Sequence, residues 1–203
     1  MIIKRYIIKY LKYKLYNPKQ FWNEFGGQKY FDKFHGKDPR YEDIFLQAIE
    51  KYHPKTVIDI GCGYGRYLKS ISDVYPQMLL HGVDIAESQI EKAREYLYGY
   101  NNISLSVVYN NILPFDNNIF DIAITFGCFS AVKKEDFSHF FNEIERVTKK
   151  FGVFIEYCHF GDGSKGNSKH YWYAHNYDHL FQNNNYMQKQ LNETGDSLFI
   201  VEF

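Results

Sequence analysis

Thr56-Val57-Ile58-Asp59-Ile60-Gly61-Cys62-Gly63-Tyr64-Gly65-Arg66-Tyr67-Leu68 decides the fold of this chain. A β-branched apolar run ends in an acid, Asp59. Gly61, Gly63 and Gly65 follow at alternate positions, and a helical pattern then begins. The order is strand, tight turn, helix. Glycines accept backbone conformations closed to other residues and let the main chain approach a ligand. Amides at the start of the helix face the same space. Asp59, just before the first glycine, offers an acceptor to an ammonium group. A nucleotide cofactor with an amino-acid end would need such an acceptor.

Two features narrow the ligand. The glycine spacing is G-x-G-x-G, not the G-x-G-x-x-G of dinucleotide binders. Asp84 closes the next apolar run, Met78 to Asp84, roughly 20 residues beyond the glycine loop, where such folds place a ribose-binding carboxylate. Leu113-Pro114-Phe115 and Phe120-Asp121 follow in order. With these motifs the chain resembles the class I S-adenosylmethionine-dependent methyltransferases, in their small-molecule, type 11-like branch. That pattern runs V-L-D-x-G-C-G-x-G, G-x-D, L-P-F and F-D, and the resemblance covers about residues 52–160.

The resemblance implies an α/β fold: a Rossmann-like, seven-stranded, mostly parallel sheet, helices on both faces, and an antiparallel C-terminal hairpin. It implies S-adenosylmethionine as cofactor. Gly61, Cys62, Gly63 and Gly65 would lie under the methionine end, and Asp59 would anchor its amino group, directly or through water. Asp84 would accept from both ribose hydroxyls, Ile85 would lie against the adenine, and Phe126 completes the cofactor set. The plainer roles are a helix-capping acid for Asp59 and a turn residue for Asp84. The family usually carries an Asp shortly before L-P-F, whereas this chain has Tyr109-Asn110-Asn111-Ile112. An Asn oxygen can accept from the adenine amino group without charge. Asn110 or Asn111 is the candidate, with the N–H of Ile112 meeting a ring nitrogen; alternatively both asparagines only make a turn.

The chain has 203 residues, so one domain is the default. Basic and acidic residues balance at 24 each, leaving no global field for nucleic acid. Cys62, Cys128 and Cys158 fit neither a disulfide framework nor a zinc motif, and free thiols suit a reducing cytoplasm. No apolar run is long enough to span a membrane, and the N-terminus lacks the features of a secretory signal. Residues 1–20 carry six Lys or Arg and no acid. Ile3, Ile7, Tyr10 and Leu11 share one helical face, opposite Arg5, Lys9 and Lys12. This segment reads either as a basic helix touching an anionic membrane surface or partner, or as a helix packed on the domain with solvated lysines.

Residues 1–50 read as a helical, aromatic segment capping the site, and 51–203 as the cofactor-binding domain. Residues 17–40, rich in Gly, Pro and aromatics, read as irregular or short helical structure, and 41–52 as a helix stopped by Pro54. Strands are expected near 56–60, 79–84, 103–108, 120–126 and 151–157, and helices near 64–74, 87–99 and 134–149. That alternation indicates a parallel sheet. Residues 160–170 read as a loop, about 175–183 as a helix and 197–203 as a final strand.

Methyl transfer from a sulfonium needs alignment and a dry pocket, plus a base when the acceptor is a hydroxyl. The segment Thr125-Phe126-Gly127-Cys128 lacks the N/D-P-P-Y/F motif of amino methyltransferases and the Pro-Cys of cytosine-C5 enzymes. Candidate bases are His159, which follows the 151–157 strand, and His170; the alternative for each is an ordinary surface or core histidine. Trp22, Tyr30, Tyr64 and Tyr171 are candidates for closing over the substrate, or for core packing. His175 and His179 share a helical spacing but lack a carboxylate partner for zinc. The leading expectation is methyl transfer to an O or N atom of a small polar molecule, a sugar or glycan precursor among the options. The alternatives are a silent cofactor-binding subunit that needs a partner, and an RNA methyltransferase. The oligomeric state is not readable from the sequence.

Overall fold

The computed structural model describes residues 16–36, 41–157, 173, 175–193 and 195–203. The N-terminal basic stretch to Lys14, the 160–170 loop, His159, His170 and Tyr171 lie outside the described residues.

Three helices precede the sheet: α1 (Pro18–Phe25), α2 (Gln28–Phe34) and α3 (Glu42–Tyr52). Pro18 stands in the first turn of α1, where no N–H is needed, and Asn17 Oδ1 accepts the Gln20 N–H at 3.1 Å. Residues 17–36 thus take the short helical form, one of the two readings the sequence offered. Gly26 and Gly27 only separate two short helices, both packed against a later helix.

Alternation then sets in: β1 (Thr56–Ile60), α4 (Arg66–Val74), β2 (Leu79–Asp84), α5 (Glu87–Tyr96), β3 (Ile103–Val107), β4 (Phe120–Phe126), α6 (Lys134–Val147) and β5 (Thr148–Tyr157). One helical turn, α7 (Tyr177–Leu180), precedes β6 (Asn185–Gln190) and β7 (Asp196–Glu202). The seven strands form one sheet in the order β3-β2-β1-β4-β5-β7-β6. The first five pair in parallel, and β7 is antiparallel to both β5 and β6.

The fold class matches the sequence reading, with local corrections. The helix expected near 175–183 is one turn, because Asn176 is extended and caps it. Strand β5 starts at Thr148, directly after α6. Strand β6 has every residue exposed, so no alternation of apolar and polar residues marks it.

Side-chain alternation along the central strands feeds two cores. On one face Ile58, Ile60, Phe154 and Phe199 pack with Phe137, Phe140, Phe141 and Ile144 of α6. On the other, Val57, Ile122 and Val153 pack with Leu68 and Ile71 of α4, Ile90 of α5, and Phe45 and Ile49 of α3. The chain leaves β1 toward β2 and β3, then returns across it to β4. The strand order therefore reverses between β1 and β4, where a crevice opens at the carboxyl ends of the strands.

Candidate active site

At that crevice β1 ends and the glycine loop begins. The N–H groups of Gly61 and Cys62 both donate to the Val83 carbonyl, at 2.8 and 3.0 Å, folding the loop over the end of β2. Gly61 sits at φ +75°, and a Cβ there would lie 2.8 Å from Cys128 Sγ. Glycine is required on both counts. Gly65 opens α4 at φ +85°, with Leu97 packed where a side chain would go.

The two acids are buried and differ in their partners. Asp84 Oδ2 accepts the Gly63 N–H at 3.0 Å, and Oδ1 accepts the Ala86 N–H at 2.9 Å. The acid that ends β2 thus also fixes the glycine loop. Burial pushes Asp84 up to about 6, against the pull of its backbone donors. Asp59 is 1% exposed, and its Oδ2 has no hydrogen-bond partner. Burial pushes it up to about 8, with the Asp84 charge adding and Arg66 opposing.

A cleft of ≈ 750 Å³ runs over these elements. Gly61, Gly63, Asp84, Ile85, Asn110, Asn111 and Phe126 line it, and Trp22 and Tyr30 close it from α1 and α2. A side chamber of ≈ 60 Å³ is lined by Asp59, Cys62, Tyr64, Arg66 and Tyr67, and shares Tyr30, Gly61, Gly63 and Phe126 with the cleft. Tyr64 therefore belongs to the chamber beside Asp59. One expectation needs correcting. The Ile112 N–H donates to the Tyr109 carbonyl at 3.1 Å, and the side chain is half exposed, so this amide already has a partner inside its own turn. Asn110 and Asn111 make that turn, at φ +55° and +57°, and line the cleft as well.

A family model for a methyltransferase domain matches residues 57–152. Over these residues the chain is similar to the class I S-adenosylmethionine-dependent methyltransferases. Among curated relatives, a malonyl-[acyl-carrier protein] O-methyltransferase of Geobacter sulfurreducens is 27% identical over 121 residues, 60% of this chain and 43% of the relative. A trans-aconitate 2-methyltransferase of Rhodopseudomonas palustris is 31% identical over 77 residues, 38% of this chain and 30% of the relative. The chain thus spans less than half the length of either. A SAM-dependent methyltransferase from Aquifex aeolicus shares the fold, with TM-score 0.63 at 18% identity, covering 92% of this chain and 98% of that one.

The residues of this site fit the cofactor that the similarity implies. A buried acid with an unpaired oxygen suits an ammonium, and Gly61 and Gly63 leave the main chain bare beside it. Among the described residues no cluster of three or more His, Cys, Asp or Glu side chains is placed to hold a metal.

Sequence reasoning missed the groups that hold the loop after β4. Glu156, near the end of β5, is 1% exposed. It accepts from Thr125 Oγ1 at 2.6 Å and from the N–H groups of Cys128 and Phe129 at 3.1 and 3.0 Å. From the other side His175 Nε2 lies 2.8 Å from the Phe129 carbonyl and 3.1 Å from that of Val132. Both neighbours are acceptors, so Nε2 carries the proton and donates. Its ring stacks on Phe137 at 3.7 Å, and burial pushes its pKa down to about 4. The loop supplies Gly127, Cys128, Ala131 and Val132 to the cleft wall, so these two residues set that wall's shape. An acid inside the otherwise apolar run Phe151–Tyr157 was the available signal for Glu156. Arg146 likewise anchors Leu113-Pro114-Phe115. It donates to the Leu113 and Phe115 carbonyls at 2.8 and 2.7 Å, while Glu143 accepts the Leu113 N–H at 3.0 Å.

Proposed function

We propose that this chain transfers a methyl group from S-adenosylmethionine to an oxygen or nitrogen atom of a small polar acceptor bound in the cleft. The convergence of Asp59, the glycine loop and Asp84 on one crevice carries this reading. The bound cofactor supplies a methyl group already activated on a sulfonium, and the protein supplies alignment and dryness. Asp59 receives the amino group, directly or through water, over Gly61, Cys62, Gly63 and Gly65. Each Asp84 oxygen accepts one backbone N–H and retains a lone pair for a ribose hydroxyl. Ile85 flanks the adenine, Asn110 or Asn111 accepts from its amino group, and Phe126 walls the cofactor. Helices α1 and α2 cap the site through Trp22 and Tyr30.

Beyond Cys128 the cleft continues along Ala131, Val132, Lys133, Asp136 and Phe140, facing Tyr16 and Asn17. We place the acceptor there. An acid-bearing acceptor suits the Lys133 ammonium, and the relatives' names specify malonyl and trans-aconitate groups. A sugar or glycan precursor suits the faces of Trp22 and Tyr109. His159 or His170 would serve as base for a hydroxyl acceptor, whereas a carboxylate needs none. The test is S-adenosylhomocysteine release across a panel of polycarboxylates, acyl thioesters, sugars and amines. Turnover confined to one class identifies the acceptor. Tight cofactor binding without turnover on any of them would favour a subunit that waits for a partner.

A further inference from the structure

The side chamber holds more than the acid expected there. Three buried side-chain polar atoms among the described residues lack a hydrogen-bond partner: Asp59 Oδ2, Tyr64 Oη and Ser197 Oγ. Two of the three belong to residues that line this chamber. Buried polar atoms are nearly always paired, so each exception calls for an explanation. One of the two is an acceptor and the other carries a hydroxyl donor. A ligand that answers both must bring a donor and an acceptor close together, as an α-amino acid does with its ammonium and carboxylate. At ≈ 60 Å³ the chamber has room for a group of that size.

The phenol of Tyr64 is held in place by other rings. Phe31, Tyr96, Tyr30 and His35 surround it at centroid distances of 5.0, 5.4, 6.1 and 6.1 Å. Phenylalanine would pack in this cage without burying an unpaired hydroxyl, so packing alone does not account for the oxygen. Burial pushes the phenol up to about 12, which keeps it a neutral donor. Arg66 follows across Gly65 and supplies the charge. It lines the same chamber as Asp59 and Tyr64. Its guanidinium sits 4.5 Å from the centroid of the Tyr67 ring and donates to the Tyr67 hydroxyl, which fixes it on the chamber wall. A guanidinium has five N–H donors in a planar fork suited to a carboxylate.

We propose that Tyr64 and Arg66 bind the α-carboxylate of the same amino-acid group whose ammonium pairs with Asp59. This inference rests on the cofactor reading above and extends it. The chamber then matches a zwitterion, with an anion on one side and a cation plus a hydroxyl on the other.

The experiment is calorimetric titration of the full chain with S-adenosylmethionine and with its decarboxylated analogue, which keeps the sulfonium and the ammonium. Wild type is expected to prefer the intact cofactor by roughly tenfold or more. Tyr64→Phe and Arg66→Gln should each weaken the intact cofactor about tenfold and the analogue less than twofold. Asp59→Asn should weaken both ligands. A melting temperature of Tyr64→Phe at or above that of wild type shows that the cage still folds. Equal affinity of wild type for the two ligands, or equal weakening of both in the Tyr64 and Arg66 variants, would overturn this proposal and leave the cofactor reading standing. If wild type binds neither ligand, both readings fall.

Discussion

Asp59→Asn should stabilise the ligand-free protein at neutral and higher pH while impairing its cofactor site. The ordinary value of 3.8 and the folded value of about 8 differ because burial penalises the carboxylate. At pH 7, below its folded value, Asp59 is therefore mostly protonated in the folded chain, and taking up that proton costs about 4 kcal/mol, an upper figure before relaxation and water entry. Asparagine avoids that cost but buries an amide lacking partners, which costs about 1–3 kcal/mol. The net gain is about 1–3 kcal/mol at pH 7, or roughly 2–10 °C in melting temperature for a chain of this size. The sign with pH is fixed. Between 3.8 and about 8 the folded chain holds the Asp59 proton more tightly than the unfolded chain. Its contribution to stability is full below 3.8 and is lost as pH rises through about 8. Urea unfolding of both proteins at pH 5 and pH 8, without ligand, reads this directly. The advantage of the variant should grow with pH, while its affinity for S-adenosylmethionine falls at least tenfold. A variant less stable than wild type at pH 8, or a difference that does not change with pH, would refute the reasoning. The expected result is the mark of a residue kept for a ligand at a cost to the empty fold.

Three further outcomes follow from the packing around the cleft. Gly61→Ala places a Cβ 2.8 Å from Cys128 Sγ at φ +75°. It should cost about 1–3 kcal/mol in urea unfolding and weaken the cofactor. Cys128→Ala should recover part of that loss but leave the backbone strain. His175→Phe keeps an aromatic ring to stack on Phe137 and removes the donor to two carbonyls, for a loss of about 1–3 kcal/mol. His175 is held neutral down to about 4, so wild type should lose stability as pH falls from 6.5 toward 4, and the variant should lose less on this account. Arg146→Ala frees the Leu113 and Phe115 carbonyls and breaks the pair with Glu143. It should cost about 1–3 kcal/mol and speed amide exchange in residues 109–116, with little effect on the glycine loop.

The parts of the site legible in the sequence are those where backbone geometry dictates residue type. A loop that must cross the end of β2 at positive φ needs glycine, so Gly61, Gly63 and Gly65 were visible without any partner. Asp84 was visible because it ends an apolar strand at a fixed distance from that loop. The parallel sheet was visible through strand and helix patterns that repeat. Strand β6 carried no such pattern, since every one of its residues faces solvent and its pairing with β7 rests on main-chain bonds. Glu156, His175 and Arg146 escaped for another reason. Each acts on backbone atoms 27 to 46 residues away, counting from Phe129 to His175, from Phe129 to Glu156, and from Leu113 and Phe115 to Arg146.

Those distant braces bear on how the two halves of the site are built. Asp59, Gly61 and Asp84 sit on β1, β2 and the turn between β1 and α4, where few conformations are open, so the cofactor half is specified locally. The wall beyond Cys128 is a loop whose shape is imposed from outside by the Glu156 carboxylate below and the His175 imidazole beside it. Tyr173 adds a main-chain brace, its N–H donating to the Ser130 carbonyl at 2.8 Å. Substitutions that alter acceptor preference without altering cofactor affinity should therefore fall on Glu156, His175 and their loop. Glu156→Gln is the sharpest case, since one amide N–H₂ must then face a backbone or hydroxyl donor. It should change the acceptor KM several-fold and shift the affinity for S-adenosylhomocysteine less than twofold. An equal effect on both ligands would mean that the wall and the cofactor cradle move as one body.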